Sequence, residues 1–282
     1  MSNVPNVLNT IPPDDPRLLL SEPFRAVHFV FGLFHPDTQS LTGRAVLAAL
    51  AALGFGDEAA RGILLRLRRG GFVESRRAGR TAVYTLTPRA GALLDEIARR
   101  ATEPSPPWDG GFETLIVHTP PGARAFREQL RRHAAYAGFG TLMPGLLIAP
   151  YQASTQRLEP LLRAAPAGVD VVLGRLAVQV DAAARIAAAV WRLGPEAATL
   201  RSETDRMAMA ADAAEAARPH GRAALVELWL AIGPFFELLS ERPLLPAELL
   251  PADWPLEGAR AAFVRLALAV ATEARAYVDG RA

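Results

Sequence analysis

Between Asp57 and Leu86 the chain spells a helix, a double-glycine stop and a strand–turn–strand, an order that few small folds accommodate. Ala60, Ile63, Leu64 and Leu67 recur at the i, i+3, i+4, i+7 spacing of a core-facing helical stripe. Asp57 is a good N-cap after the turn Gly54-Phe55-Gly56, and Gly70-Gly71 stops the helix after Arg69. Residues 72–77 and 81–86 then read as a β-hairpin around Ala78-Gly79-Arg80, with β-branched and aromatic side chains on the returning strand. Two helices precede this segment. The spacing of Phe24, Val27, His28, Phe31 and Phe34 predicts the first, and Arg44 to Leu53, opened by Leu41-Thr42-Gly43, is the second. Thr87-Pro88 opens a fourth helix that reaches about Ala101.

Three helices followed by a two-stranded wing is the layout of a winged helix-turn-helix, expected over 23–101. Its charge is as telling as its order. Between Leu41 and Arg100 there are eleven arginines against five acids, whereas the whole chain carries only +2. Arg61, Leu65 and Arg68 share one flank of the third helix, Arg66 lies on the other, and Arg69 faces away from the core. Arg76, Arg77, Arg80 and Thr81 gather at the wing. A helix fits the major groove, and guanidinium groups reach guanine edges or phosphates. Any one of these arginines equally suits an arginine-biased solvated face; helix and wing together point to double-stranded DNA. Leu65 suits a thymine methyl or a neighbouring helix equally well. Phe72 and Tyr84 read as packing of the wing.

A polar, proline-rich segment over 1–22 is expected to be disordered. After the prolines of 102–107 the periodicity changes. Strands are expected over 114–119, 140–149 (interrupted by Pro144-Gly145) and 169–176, with helices over 122–137 and 155–165 between them. That alternation suits a ferredoxin-like α+β middle domain over 108–178. From Asp181 to the end the chain is alanine-rich and helical, broken by a proline-punctuated run from Pro243 to Pro255, and 181–282 reads as a helical effector and dimer domain. The fold class is therefore multidomain α+β.

Two absences remove whole chemistries. The chain has no cysteine, which excludes disulfides, zinc–thiolate sites and thiol catalysis. All 31 strong cations are arginine; without lysine there is no Walker A loop, Schiff base or pyridoxal anchor. The histidines 28, 35, 118, 133 and 220 show no i, i+4 pairing, so no metal is expected. Ser75, Ser154, Ser202 and Ser240 lie in no nucleophile elbow, and Gly54-Phe55-Gly56 lacks the third glycine of a dinucleotide fingerprint. A nuclease on the middle domain needs an acid on its first strand, and Thr114 to His118 has none, with Glu113 and Asp109 only bordering it. No catalytic residue is assigned. That nuclease, or a ligand sensor acting through protein partners, is the rival reading. The first twenty residues hold Asp14, Asp15 and four prolines in place of a signal peptide. Ala223 to Leu239, with Glu227, Glu237 and Gly233-Pro234, reads as a buried helix pair and not a membrane span. A cytoplasmic location is expected.

From about Pro23 to the C-terminus the chain resembles the PaaX-like family of phenylacetic-acid-degradation repressors. In the first domain the likeness rests on Leu53-Gly54-Phe55-Gly56, Arg61, Leu64, Arg66-Leu67, Gly71, Gly79-Arg80 and Tyr84-Thr85-Leu86-Thr87. In the middle it rests on Trp108-Asp109-Gly110, Leu130-Arg131, Gly138-Phe139-Gly140 and Ile148-Ala149-Pro150, and in the last on the run 243–255. Phe72 stands where the family often has tryptophan, Gly62 where a larger residue is usual, and Arg242 where an acid commonly precedes Pro243. The resemblance implies a homodimeric repressor that leaves its operator when an aryl-CoA thioester, typically phenylacetyl-CoA, binds. Arg222 with Trp191, Trp229, Phe235 and Phe236 would then line the effector site, although such aromatics are more often core.

Overall fold

The computed structural model describes residues 20–34, 37, 40–241 and 243–280. The expected disordered segment over 1–22 falls almost wholly outside these residues, as do His35 and Arg242. The protein is multidomain α+β, and its chain divides into two compact units. The first comprises 1–102, 202–237 and 257–282; the second comprises 103–201 and 238–256.

In the first unit, α1 (Glu22–Gly32), β1 (Ser40–Thr42), α2 (Gly43–Ala52), α3 (Asp57–Arg69), β2 (Val73–Ala78), β3 (Thr81–Leu86) and α4 (Pro88–Thr102) follow in order. The three strands form one antiparallel sheet, β1-β3-β2. Thr42 ends β1 and caps α2, its Oγ1 accepting from the Ala45 amide at 3.2 Å. Gly79, at φ +60°, is the first of the two residues between β2 and β3, the left-handed position a tight hairpin turn demands. Phe31, Leu50, Leu64, Leu67 and Phe72 are fully buried and form the centre of this part.

His28 of α1 lies in that core. Its Nδ1 donates to the Phe24 carbonyl at 3.2 Å, its Nε2 has no hydrogen-bond partner, and burial pushes its pKa down from 6.5 to about 4. Folding thus holds the ring neutral, while the unfolded chain takes up a proton below pH 6.5. Stability from this group is complete above pH 6.5 and falls as pH drops toward 4, by about 3 kcal/mol in total. Urea denaturation between pH 7 and 4 should show that slope, and His28→Leu should flatten it. An equal slope in both proteins would remove His28 as its source.

The same unit receives parts of three long helices: α8 (Leu193–Ala217), α9 (Gly221–Glu241) and α10 (Leu256–Val278). The expected helix pair around Gly233-Pro234 is instead the single helix α9, with Pro234 inside it. A mid-helix proline withholds the N–H that the carbonyl four residues earlier would accept. Here that carbonyl, of Leu230, accepts from Arg206 Nη1 of α8 at 2.9 Å. The helix continues because a distant guanidinium replaces the missing donor. Arg206→Met should cost about 1 kcal/mol in Pro234-containing protein and clearly less with Pro234→Ala, which restores the amide donor. Equal costs in the two backgrounds would refute the pairing. Helix α9 is also the one described helix long and apolar enough to cross a membrane by length and composition; its Leu225, Leu228, Ile232 and Phe235 are buried in the protein.

In the second unit, β4 (Gly111–His118), α5 (Arg124–Tyr136), β5 (Gly140–Met143), β6 (Leu146–Ala149), α6 (Gln152–Arg163) and β7 (Asp170–Ala177) build a four-stranded antiparallel sheet ordered β5-β6-β4-β7. The single interrupted strand expected over 140–149 is two strands, paired around Pro144-Gly145. Phe126, Leu130 and Ala134 of α5 and Leu158 of α6 cover one face with Leu115 and Ala149. On the other face Phe112 and Ile148 pack with Ala183 and Ala187 of α7 (Val180–Val190), Trp191, Leu245 and Leu249. The Gly138-Phe139-Gly140 motif has a steric cause. A Cβ on Gly140 would stand 2.1 Å from Val190 Cγ1, and one on Gly138, at φ +95°, would stand 3.1 Å from Pro243.

Candidate nucleic-acid interface

Helix α3 turns Ala60, Ile63, Leu64 and Leu67 inward, as the stripe predicts, and leaves Arg61, Leu65, Arg68 and Arg69 exposed. Leu65 is 38 % exposed and stands among them. Arg61 forms one loose, solvent-exposed contact with Asp57, at 3.8 Å. Its strength is small in water, so the guanidinium stays available. Arg66 behaves differently. It is half-buried, burial lowers its pKa, and its Nη1 would sit 3.7 Å from a Cβ on Gly62. A Cβ at Gly62 would meet that guanidinium at ordinary van der Waals distance, so the two positions are neighbours on the helix.

The hairpin holds Arg76, Arg77, Arg80 and Thr81 exposed. Register separates them by face. Val73, Ser75 and Arg77 of β2 lie opposite Leu86, Tyr84 and Ala82 of β3, so these six share one face. Arg76, opposite Val83, and Thr81, opposite Ala78, share the other. Arg68 Nη1 donates to Ser75 Oγ at 3.4 Å, which ties α3 to the Arg77 face of the ribbon. Phe72 is fully buried and Tyr84 half-buried, and both pack within the unit. Helix and ribbon thus join into one cationic surface, with Arg61, Arg68, Arg69 and Arg77 on contiguous elements and Arg80 at the tip.

The five residues expected to line an effector site are divided between the two units. Trp191 belongs to the core of the second unit with Phe112, ring centres 5.9 Å apart. Trp229, Phe235 and Phe236 belong to the first unit; Trp229 meets Phe29 at a tilt, ring centres 5.2 Å apart, and Phe236 meets Phe263 edge-on at 5.3 Å. Phe235 is fully buried, and Arg222 is exposed. Concavities lie in both units. Trp191, Leu200, Pro243, Leu245 and Trp254 enclose a cavity of about 40 Å³, room for little more than one water. An open groove of about 750 Å³ runs along α10, where Val264 and Leu268 lie beside Arg260 and Arg265. Arg265 is held there by Asp212 at 2.7 Å and Glu215 at 2.5 Å. The first strand of the second unit's sheet, expected over 114–119 without an acid, begins at Gly111 and includes Glu113, which accepts from Arg175 Nη1 at 3.0 Å; among the described residues no group of three or more histidines and carboxylates could hold a metal ion.

Arg124 and Arg127 of α5 were not singled out by periodicity. The signal that finds them is the charge of α5 and α6 counted as a layer, which only the fold defines.

The architecture defines a multidomain α+β protein whose first unit presents an arginine-lined helix and hairpin. Residues 105–183 match the family description "PaaX protein central Cas2-like domain", and residues 193–280 match "PaaX-like protein C-terminal domain". The chain belongs to the PaaX-like family. It is 28 % identical over 273 residues to the Transcriptional repressor PaaX of Escherichia coli (strain K12), covering 91 % of this chain and 84 % of that protein. Its fold is similar to that of the uncharacterized protein Rv0674 from Mycobacterium tuberculosis, with TM-score 0.56, 23 % identity and coverage of 92 % and 99 % of the two chains.

Proposed function

We propose that this chain is a DNA-binding transcriptional repressor. The observation that carries the reading is the continuous exposed arginine surface of α3 and the β2–β3 ribbon, joined through Arg68 and Ser75. Three helices and a ribbon in this order support a winged helix-turn-helix, and the β4-α5-β5-β6-α6-β7 order with strands 5-6-4-7 supports a ferredoxin-like middle domain. The relative's name supports repression as the outcome of binding. A homodimer would place two reading helices on a pseudo-palindromic site, one or more helical turns apart.

The inducer, in this reading, is an aryl-CoA thioester, and the regulated genes serve aromatic acid catabolism. It acts by binding more tightly to an arrangement that fits the operator poorly. The α10 groove has the volume of a ligand site, and the cavity beside Trp191 must open before an aryl ring enters. Footprinting on the protein's own promoter, with and without phenylacetyl-CoA, tests both parts. Protection that the thioester removes supports the whole reading; protection it leaves intact removes the inducer. Divalent-metal-dependent cleavage of the duplex that survives Arg66→Ala and Arg80→Ala would replace repression with nuclease activity.

A further inference from the structure

The second unit is electrically neutral as a whole and strongly divided within. It holds eleven arginines and eleven acids. Six of the arginines and only two of the acids, Glu128 and Glu159, lie on α5 and α6; the rest of the unit is left with five arginines against nine acids. Both helices lie on one face of the sheet, so the division is spatial: about +4 on the helical layer and about −4 elsewhere. A face on which arginine merely keeps the protein hydrated would mix the two signs.

Along α5 the inward stripe of Phe126, Leu130 and Ala134 leaves Arg124, Arg127 and Arg131 on the outward ridge, all exposed. From first to last they are seven residue steps apart, about 10 Å of helix, or about three base-pair steps of a duplex strand. Glu128 takes up part of Arg131 at 3.3 Å, while neither Arg124 nor Arg127 has an acidic partner among the described residues. Arg157 of α6, also exposed, extends the positive layer. Phe126 is buried and Tyr136 half-buried, so the ridge offers no exposed ring on which an unpaired base could stack. A cationic ridge without stacking rings fits phosphodiester oxygens of a duplex and reads no sequence.

We infer that the outward face of α5 is a second DNA-backbone contact, on a different unit from the arginine helix and ribbon. The inference rests on the DNA-binding reading above. It adds sequence-independent affinity, and it lengthens the salt-dependent footprint beyond what α3 and the ribbon alone would give.

The test uses the full chain and a promoter duplex titrated over a range of salt. Each phosphate contact contributes about 0.9 to the slope of log K against log salt. Arg124→Ala/Arg127→Ala/Arg131→Ala should lower that slope by about 2 to 3 and weaken specific and non-specific duplexes by the same factor. Arg185→Ala/Arg192→Ala, two exposed arginines of the same unit outside this layer, should leave the slope unchanged. Circular dichroism confirms folding of each variant, and Arg124→Gln/Arg127→Gln gives a milder substitution should the triple variant unfold. An unchanged slope in the α5 variants, or an equal fall in the Arg185/Arg192 control, overturns the inference. If wild-type protein binds duplex and Arg80→Ala weakens it while the α5 variants do not, only this second contact is lost. If wild-type protein shows no salt-dependent binding at all, both readings fall.

Discussion

Protein carrying Arg69→Ala, Arg77→Ala and Arg80→Ala should bind its operator roughly 500-fold more weakly at 0.1 M salt, if each side chain meets one phosphate at about 0.9 in the salt slope. The slope itself should fall by about 2.7, and Arg80→Ala alone should account for about 0.9 of that. Geometry sharpens the expectation within the ribbon. Arg77 lies on the face that Arg68 touches through Ser75, and Arg76 lies on the opposite face. A groove that receives α3 therefore meets Arg77 first, so Arg77→Ala should cost more than Arg76→Ala. Fluorescence anisotropy with a labelled duplex measures both. The reverse ranking would mean that DNA meets the ribbon by its other face. Leu65→Ala, by contrast, should leave the slope alone and change only the preference between operators, since an apolar contact releases no counterion.

Legibility of this chain followed the range over which its interactions act. Helix α3 and the hairpin were readable because their determinants are local: a 3.6-residue stripe, a glycine stop and one left-handed turn residue. Strand β1 was not. Ser40, Leu41 and Thr42 are too few for a period, and they become a strand only by pairing with Thr85, Tyr84 and Val83 more than forty residues later. Pro234 misled for the same reason, because the donor that rescues the Leu230 carbonyl is 24 residues upstream on another helix. Spacing does not tell which unit a ring of the aromatic set joins; Trp191 joins Phe112, and Trp229 joins Phe29. On α3 the sequence groups Arg66 with the other arginines of the helix, whereas burial separates it: Arg66 is half-buried where Arg61, Arg68 and Arg69 are exposed. The α5 ridge stayed hidden because a neutral unit shows no excess until its layers are known.

Phe72→Ala should destabilise the first unit by about 3 to 5 kcal/mol, the usual cost of emptying a fully buried aromatic site. The position joins four elements. The Phe72 amide donates to the Leu67 carbonyl at the end of α3, and the Phe72 carbonyl accepts from the Thr87 amide before α4. Its ring meets Phe24 of α1 edge-on at 4.9 Å, and the Arg89 guanidinium lies 4.4 Å from the ring centre. Alanine keeps the two backbone bonds and removes both ring contacts, so the loss reads packing and the cation–π contact alone. Phe72→Trp, the residue common at this position in the family it resembles, overfills the site and should cost about 1 to 3 kcal/mol. Urea denaturation of each variant separates these effects, and a cost below about 1 kcal/mol for alanine would show that the site collapses around the gap. Because the same residue sets where α3 ends and β2 begins, DNA binding by the folded fraction of Phe72→Ala should weaken as well, through a loosened Arg68–Ser75 tie. Arg89→Met, which removes the cation but keeps the ring buried, should cost about 1 kcal/mol and leave DNA affinity unchanged.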